Sequence, residues 1–123
     1  MRKLLFIVIA AVALLVPRAV SAHHGWAGYL EAEFEIGGTV TMPVSLAGPH
    51  ATLVIKGTDG HSWNLVLAPP PLMSAAGLKD GMIPVGAKVV AHGHRHKDSD
   101  RYEMKTERLV WQGKTYTIYP GRT

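Results

Sequence analysis

Two adjacent histidines, His23 and His24, directly follow Ala22 at the end of the segment Val20-Ser21-Ala22. If the chain is cut after Ala22, His23 becomes the first residue, and its α-amine and ring Nδ1 can close a six-membered chelate ring on one metal ion. A second imidazole from elsewhere in the fold would complete a T-shaped set of three nitrogens, the arrangement called a histidine brace. Near-planar nitrogen donors suit Cu(II), which also heads the stability order for such sites, with zinc the alternative. His24 offers a variant in which amine, deprotonated amide and imidazole chelate the same ion. The α-amine has a reference pKa of about 7.7, so the metal must displace a proton and affinity should climb with pH.

A second candidate set is His92, His94 and His96, whose alternate spacing would point three imidazoles the same way on an extended strand. Such a row can take zinc or copper, with Asp98 and Asp100 as carboxylate partners. Gly93, Arg95 and Lys97 interleave with it, so the expectation is a solvated loop over His94–Arg101 and at most a secondary metal site. Met42, Met73, Met82 and Met104 raise a thioether site for Cu(I), but Met42 and Met104 lie at core parity and read as packing. Trp26 is close enough in sequence to the paired histidines to shield a site there or to stack on a cation. Other catalytic templates fail. No serine stands in a nucleophile-elbow context, no glycine loop is built to cradle phosphate, and Glu31, Glu33 and Glu35 alternate as a solvated face would.

These residues must be carried by a small exported domain. Met1-Arg2-Lys3 is a positive start, Leu4 to Val16 is an unbroken apolar run, and Pro17 precedes small residues at 20 and 22. That is the three-part layout of a secretory signal peptide, expected to be removed as residues 1–22. The run is shorter than the roughly 20 residues a spanning helix needs, so no membrane association is expected after the cut. Residues 23–123 are enough for one core and one domain. Of 13 Lys and Arg against 9 Asp and Glu, Arg2, Lys3 and Arg18 leave with the signal, and the remainder is close to neutral. Nucleic-acid binding is therefore not expected. The absence of cysteine excludes disulfides, thiolate metal sites, thiol catalysis and a lipidated cysteine.

Period-two alternation runs through this part of the chain. A first strand puts Phe34, Ile36, Val40 and Met42 on one face, with Gly37-Gly38 suggesting a bulge or sharp coil. A second strand, Ala51–Lys56, is joined through Gly57-Thr58-Asp59-Gly60 to a third, His61–Leu67, a strong hairpin signal. After Pro69-Pro70-Pro71, Leu72–Leu78 reads as a short helix stopping near Gly77. A fourth strand, Ala87–His92, and a fifth, Tyr102–Trp111, follow. The apolar residues of the fifth change parity between Met104 and Leu109, which calls for a bulge. Gln112-Gly113 then turns the chain back through Lys114 to Tyr119. Three strands, a helical connection and two or three more strands predict an all-β fold, a small OB-like Greek-key barrel of five to six strands with one helix between strands 3 and 4. A β-sandwich is the competing architecture.

Several features in order make the chain resemble a family of small exported bacterial proteins known chiefly as a domain of unknown function, over nearly all of residues 22–119. They are Ala22-His23-His24, Gly38-Thr39-Val40-Thr41, Pro49-His50-Ala51, Trp63, Pro70 with Leu72, Gly77-Leu78, Gly86 with Val89, Gly93, and Gly113. The family commonly has Asn before the Pro-His pair, where this chain has Gly48, and a small residue such as Ser after the paired histidines, where this chain has Gly25-Trp26. The resemblance implies an exported OB-like barrel and says almost nothing about activity. It does single out His50 as the third metal donor, because the Pro-His pair recurs together with the paired histidines.

The reading that follows is a periplasmic or secreted, non-enzymatic metal-binding protein that takes up, stores or delivers Cu(II) through His23, His24 and His50, with a periplasmic protein as the partner that delivery would need. The runner-up is an exported OB-type interaction module that holds a protein or small ligand without metal. A copper oxygenase would need in addition an open equatorial position and an axial tyrosine or phenylalanine, for which Tyr29, Tyr102 and Tyr116 are available.

Overall fold

The computed structural model describes residues 25–122, so residues 1–22, read above as a signal peptide, and the paired histidines His23 and His24 lie outside the described residues. Six strands follow in order: β1 (Phe34–Ser45), β2 (Thr52–Gly57), β3 (Ser62–Val66), β4 (Lys88–Arg95), β5 (Glu103–Trp111) and β6 (Lys114–Thr117). One helix, α1 (Pro70–Ala75), falls between β3 and β4. β1 pairs antiparallel with both β2 and β4, β2 with β3, and β4 with β5, while a short parallel pairing of β3 with β5 closes the ring. The result is a closed five-stranded barrel, with β6 added outside β5. This is the small OB-like barrel that the order of elements predicts, and closure leaves the five ring strands without a free edge.

The barrel is filled by one residue in two from each strand. Ile36, Val40 and Val44 come from β1, Leu53 and Ile55 from β2, Trp63 and Leu65 from β3, Val89 and Ala91 from β4, and Met104 and Leu109 from β5. Met73, Leu78 and Ile83 from the β3–β4 connection and Ile118 after β6 complete the core. Helix α1 starts on its prolines, where a missing N–H costs nothing, and ends before Gly77 at φ +82°. The β2–β3 turn has Gly60 at φ +86° with its N–H on the Gly57 carbonyl (2.9 Å). Gln112 and Gly113 both adopt positive φ, as a two-residue hairpin turn requires.

Three details depart from the expectations. Met42 is 59% exposed rather than in the core, because β1 slips register against β2 between Val40 and Met42 and turns it outward. The glycine pair is not a bulge: Gly37 and Gly38 pair in regular order with Val90 and Val89. Gly38 is needed for another reason, since a Cβ there would stand 2.5 Å from the Lys56 carbonyl oxygen. Finally, β4 does not end at His92. It runs to Arg95, and His96 makes one further bridge, to Tyr29. The strand continues past Gly93 because β5 crosses directly over it. A Cβ on Gly93 would lie 2.1 Å from the Lys105 carbonyl oxygen, so only glycine lets the two backbones meet.

Candidate functional site

The bulge expected between Met104 and Leu109 falls at Glu107, which has no partner in β4: Arg108 pairs with His92 and Thr106 with Gly93. The extra residue restores core parity for Leu109 and makes the stretch Met104–Glu107 buried throughout. It also gives the backbone carbonyl of Glu107 two donors from the chain after β6, Ile118 N–H (2.7 Å) and Tyr119 N–H (3.1 Å). The tail is thereby folded back across this end of the barrel, bringing Tyr119 and Arg122 over β5.

Residues 25–30 arrive at the same place. Tyr29 N–H closes a turn on the Trp26 carbonyl (3.0 Å), Leu30 N–H donates to Arg95 (2.9 Å), and Lys97 N–H donates to Gly28 (2.9 Å), so this segment lengthens the sheet beyond β4. The Trp26 ring is covered by cations, with the Arg122 guanidinium 3.8 Å and the Lys105 ammonium 4.4 Å from its centroid. It also meets His94 and Tyr119 edge-on, at 5.6 and 5.1 Å. The cations on Trp26 are thus the protein's own side chains. Lys105, only 6% exposed, donates from Nζ to the Gly25 carbonyl and faces no carboxylate among the described residues. Burial, and then repulsion from Arg122, lower its pKa from the usual lysine value.

Beneath Trp26 lies a buried polar pair. His94 Nδ1 is 2.8 Å from the Leu30 carbonyl oxygen and Nε2 is 2.5 Å from Glu107 Oε1. A carbonyl oxygen can only accept, so Nδ1 carries a proton, and a second proton must lie between Nε2 and the carboxylate. Arg108 and Arg122 each stand 3.7 Å from the same carboxylate. His94, expected in a solvated loop, is a strand residue with both ring nitrogens engaged.

Its neighbours in the row are committed elsewhere. His92 lies 3.7 Å from Glu35 and 4.0 Å from Glu33. His96 accepts the Asp98 N–H at Nδ1 (3.0 Å) and packs edge-on to Tyr29 (5.5 Å). Among the described residues no three His, Asp or Glu side chains are gathered as a metal-holding group, so His92, His94 and His96 are not brought together as one. The methionines are divided too: Met73 and Met104 are core, and the Met82 sulfur accepts the Lys79 N–H at 3.3 Å.

His50 is exposed, and its imidazole has no hydrogen bond with the described residues. The next residue, Ala51, exchanges backbone hydrogen bonds with Leu67 and Ala68 (2.8 Å each), and the Leu67 carbonyl accepts the Tyr119 hydroxyl at 3.3 Å. A continuous path therefore leads from the start of β2 through Tyr119 to Trp26. Of the other tyrosines, Tyr29 donates its hydroxyl to Glu103 (2.7 Å), its pKa raised by burial and that carboxylate, and Tyr102 stacks on His61 at 4.0 Å. A cleft of about 790 Å³ opens beside Trp26, lined also by Tyr29, Leu30, Glu31, Lys97 and Arg122.

Lys105, Glu107, Tyr119 and Arg122 carry this end of the barrel, and sequence reasoning did not select them. The only signal was the broken parity between Met104 and Leu109, which locates the bulge without revealing what its side chains reach.

No protein-family model matches the chain, and no curated protein does. Among solved structures the chain is similar to apo TiaS, a tRNAIle2 agmatidine synthetase, with TM-score 0.48 and 18% identity, covering 63% of this chain and 17% of that one. It is also similar to a ZRD-deleted mutant of TiaS in complex with agmatine, with TM-score 0.52 and 14% identity, covering 70% of this chain and 26% of that one. The chain thus spans about a quarter or less of those proteins, and at such identities the likeness concerns the fold alone. No helix among the described residues is long and apolar enough to cross a membrane.

Proposed function

We propose that this is an exported, non-enzymatic protein that takes up, stores or hands on Cu(II) at its processed N-terminus, with His23, His24 and His50 as donors. The observation that supports this reading best is the anchoring of Gly25 and Trp26. The Gly25 carbonyl is bonded to a buried ammonium and the Trp26 ring is covered by two cations, two and three residues after His23. Chain ends are poorly ordered unless something ties them down, and here the tie falls beside the proposed donors. The path through Tyr119 and Leu67 to Ala51 runs from that anchor to the residue after His50, whose imidazole is uncommitted. Copper prefers such a nitrogen set, and zinc is the ion to test beside it.

The test compares protein exported with its natural signal and a version carrying one extra residue before His23. The first is expected to begin at His23 by mass and to bind one Cu(II), with affinity rising as pH passes the α-amine's range. The second should bind much more weakly, because its first amine is no longer beside a histidine ring. Equal affinities would remove the brace. Failure of both to bind copper or zinc would favour the second reading, an exported module holding a protein or small ligand without metal, for which the cleft beside Trp26 is the natural seat.

A further inference from the structure

Arg122 is a guanidinium held in place with its donors unused. Its central carbon stands 3.8 Å from the Trp26 ring centroid. A group that near cannot stand upright on the ring, because one of its nitrogens would then fall inside contact distance, so it lies across the face. Stacked in this way, its N–H donors spread in a plane parallel to the ring and point outward. None of them makes a hydrogen bond among the described residues: Glu107 Oε1 is 3.7 Å from Nε, too far for one, and that oxygen is already bonded to His94. The side chain is 43% exposed, so these donors face solvent.

The cleft of about 790 Å³ beside Trp26 sets what surrounds them. Lys97 lines it, exposed and without an ion pair among the described residues, its backbone N–H fixed on the Gly28 carbonyl at 2.9 Å. Lys105, also unpaired, adds charge from within, 4.4 Å from the Trp26 centroid, and a buried charge is screened less than an exposed one. Glu107 does not offset these cations, since the proton it shares with His94 already balances it. One carboxylate in the lining, Glu31, stands against them, so the surplus is positive but a doubly charged anion would meet repulsion. Leu30 supplies an apolar wall, 44% exposed. Its N–H donates to Arg95 (2.9 Å) and its carbonyl accepts from His94 (2.8 Å), which holds its side chain at the cleft rather than in the core. The π surface of Trp26 is already taken by Lys105 and Arg122, so an aliphatic body fits here better than a flat aromatic one.

We propose that this cleft is a binding site for a small aliphatic carboxylate, its two oxygens on the Arg122 guanidinium, with Lys97 beside them, and its hydrocarbon body against Leu30. The planar fork of arginine matches a carboxylate with two parallel hydrogen bonds, and its orientation on Trp26 is set before the ligand arrives. No metal takes part in these contacts. The site therefore goes beyond the copper reading and stands or falls separately from it.

The experiment is an NMR titration of the purified protein with hexanoate, followed through the amides of residues 26–31, 97 and 122 and the Trp26 indole N–H. Metal is first removed on a chelating resin, so that a carboxylate cannot bind through copper. Saturable shifts confined to these resonances are expected at millimolar concentration. Hexanamide and hexylamine, which keep the body but lack the negative charge, should bind about tenfold more weakly, the loss expected of a charge-assisted hydrogen bond. Acetate, which lacks the body, should also bind more weakly. Arg122→Gln should weaken hexanoate about tenfold, with Arg122→Lys, which keeps the charge but not the fork, in between. Lys97→Gln should weaken it severalfold, and because Lys97 does not touch Trp26, this variant carries the test if Arg122→Gln disturbs the strand amides. The proposal is overturned if hexanoate gives no saturable shift, if hexylamine binds as well, if inorganic phosphate moves the same resonances more strongly, or if affinity is unchanged in the folded variants. A Cu(II) titration of the same protein decides the copper reading and leaves these outcomes unaffected.

Discussion

Asp59 shows how much one side chain in a turn can hold. Its carboxylate accepts the His61 N–H at 3.1 Å and the Trp63 Nε1–H at 3.0 to 3.1 Å, so the tip of the β2–β3 hairpin is tied to the largest residue of the core. Desolvation is the largest single influence and favours its neutral form, but these hydrogen bonds and the nearby His61 together outweigh it and hold the carboxyl below its ordinary 3.8. A folded pKa below the unfolded one means that its contribution to stability is complete above pH 3.8 and is lost as pH falls through the lower folded value. Denaturant titrations from neutral to acid pH should therefore show the wild type losing an increment that Asp59→Asn does not lose. Parallel pH profiles for the two would refute this. The sequence made Asp59-Gly60 legible as a hairpin through turn chemistry. The bond from Trp63 was not legible, because it depends on which way the indole N–H points out of the core. The same limit applied to His94: its spacing from His92 and His96 was visible, but its carboxylate partner sits on another strand, at a bulge whose residue could not be chosen from parity alone.

Elements were read best where a local rule decided them. The DG turn, the prolines and Gly77 around α1, and the Gln112-Gly113 turn each follow from backbone angles that few residues adopt. Errors came where two strands had to be considered together. Met42 was placed inward by counting along β1, but the count resets where β1 slips against β2. Reading along β4 alone stops the strand at His92, just before Gly93, whereas that glycine admits the backbone of β5 and the strand runs on to Arg95. These two meanings of glycine predict opposite mutational outcomes. Gly93→Ala would push a methyl group into the Lys105 carbonyl and should destabilise the barrel by about 3 kcal/mol or more, or prevent folding, as a strand interior cannot give way without losing pairing. Gly60→Ala meets nothing within 4 Å and should cost about 1 kcal/mol, the strain of a left-handed angle on a residue with a Cβ. Equilibrium unfolding of both variants measures the difference, and similar losses would show that crowding at Gly93 is relieved by a small shift of β5.

At the scale of the whole molecule, the order of strands and the one helix were enough to favour the closed barrel over a sandwich, since the helix falls where the chain must cross before β4 adds beside β1. What no local pattern contained was the meeting of residues 25–30, residues 118–122 and β5 around Trp26, which depends on contacts such as Lys105 to Gly25 across most of the sequence. That gathering gives the copper reading a thermodynamic signature. The amine, amide and imidazole of His23 and His24 are sequence neighbours and would chelate copper as well in the unfolded chain, so they add nothing to folding stability. Only a donor that the fold brings to them makes the native state bind more tightly than the unfolded one. If His50 tightens the native site a hundredfold, saturating Cu(II) stabilises the fold by about 2.7 kcal/mol. For a domain of about a hundred residues that raises the midpoint of thermal unfolding by roughly 10–20 °C. His50→Ala should still bind copper through the terminal chelate, yet its midpoint should no longer move with metal. An equal rise in both proteins would show that the third donor comes from another residue, and no rise in either would show that the chelate forms without help from the barrel.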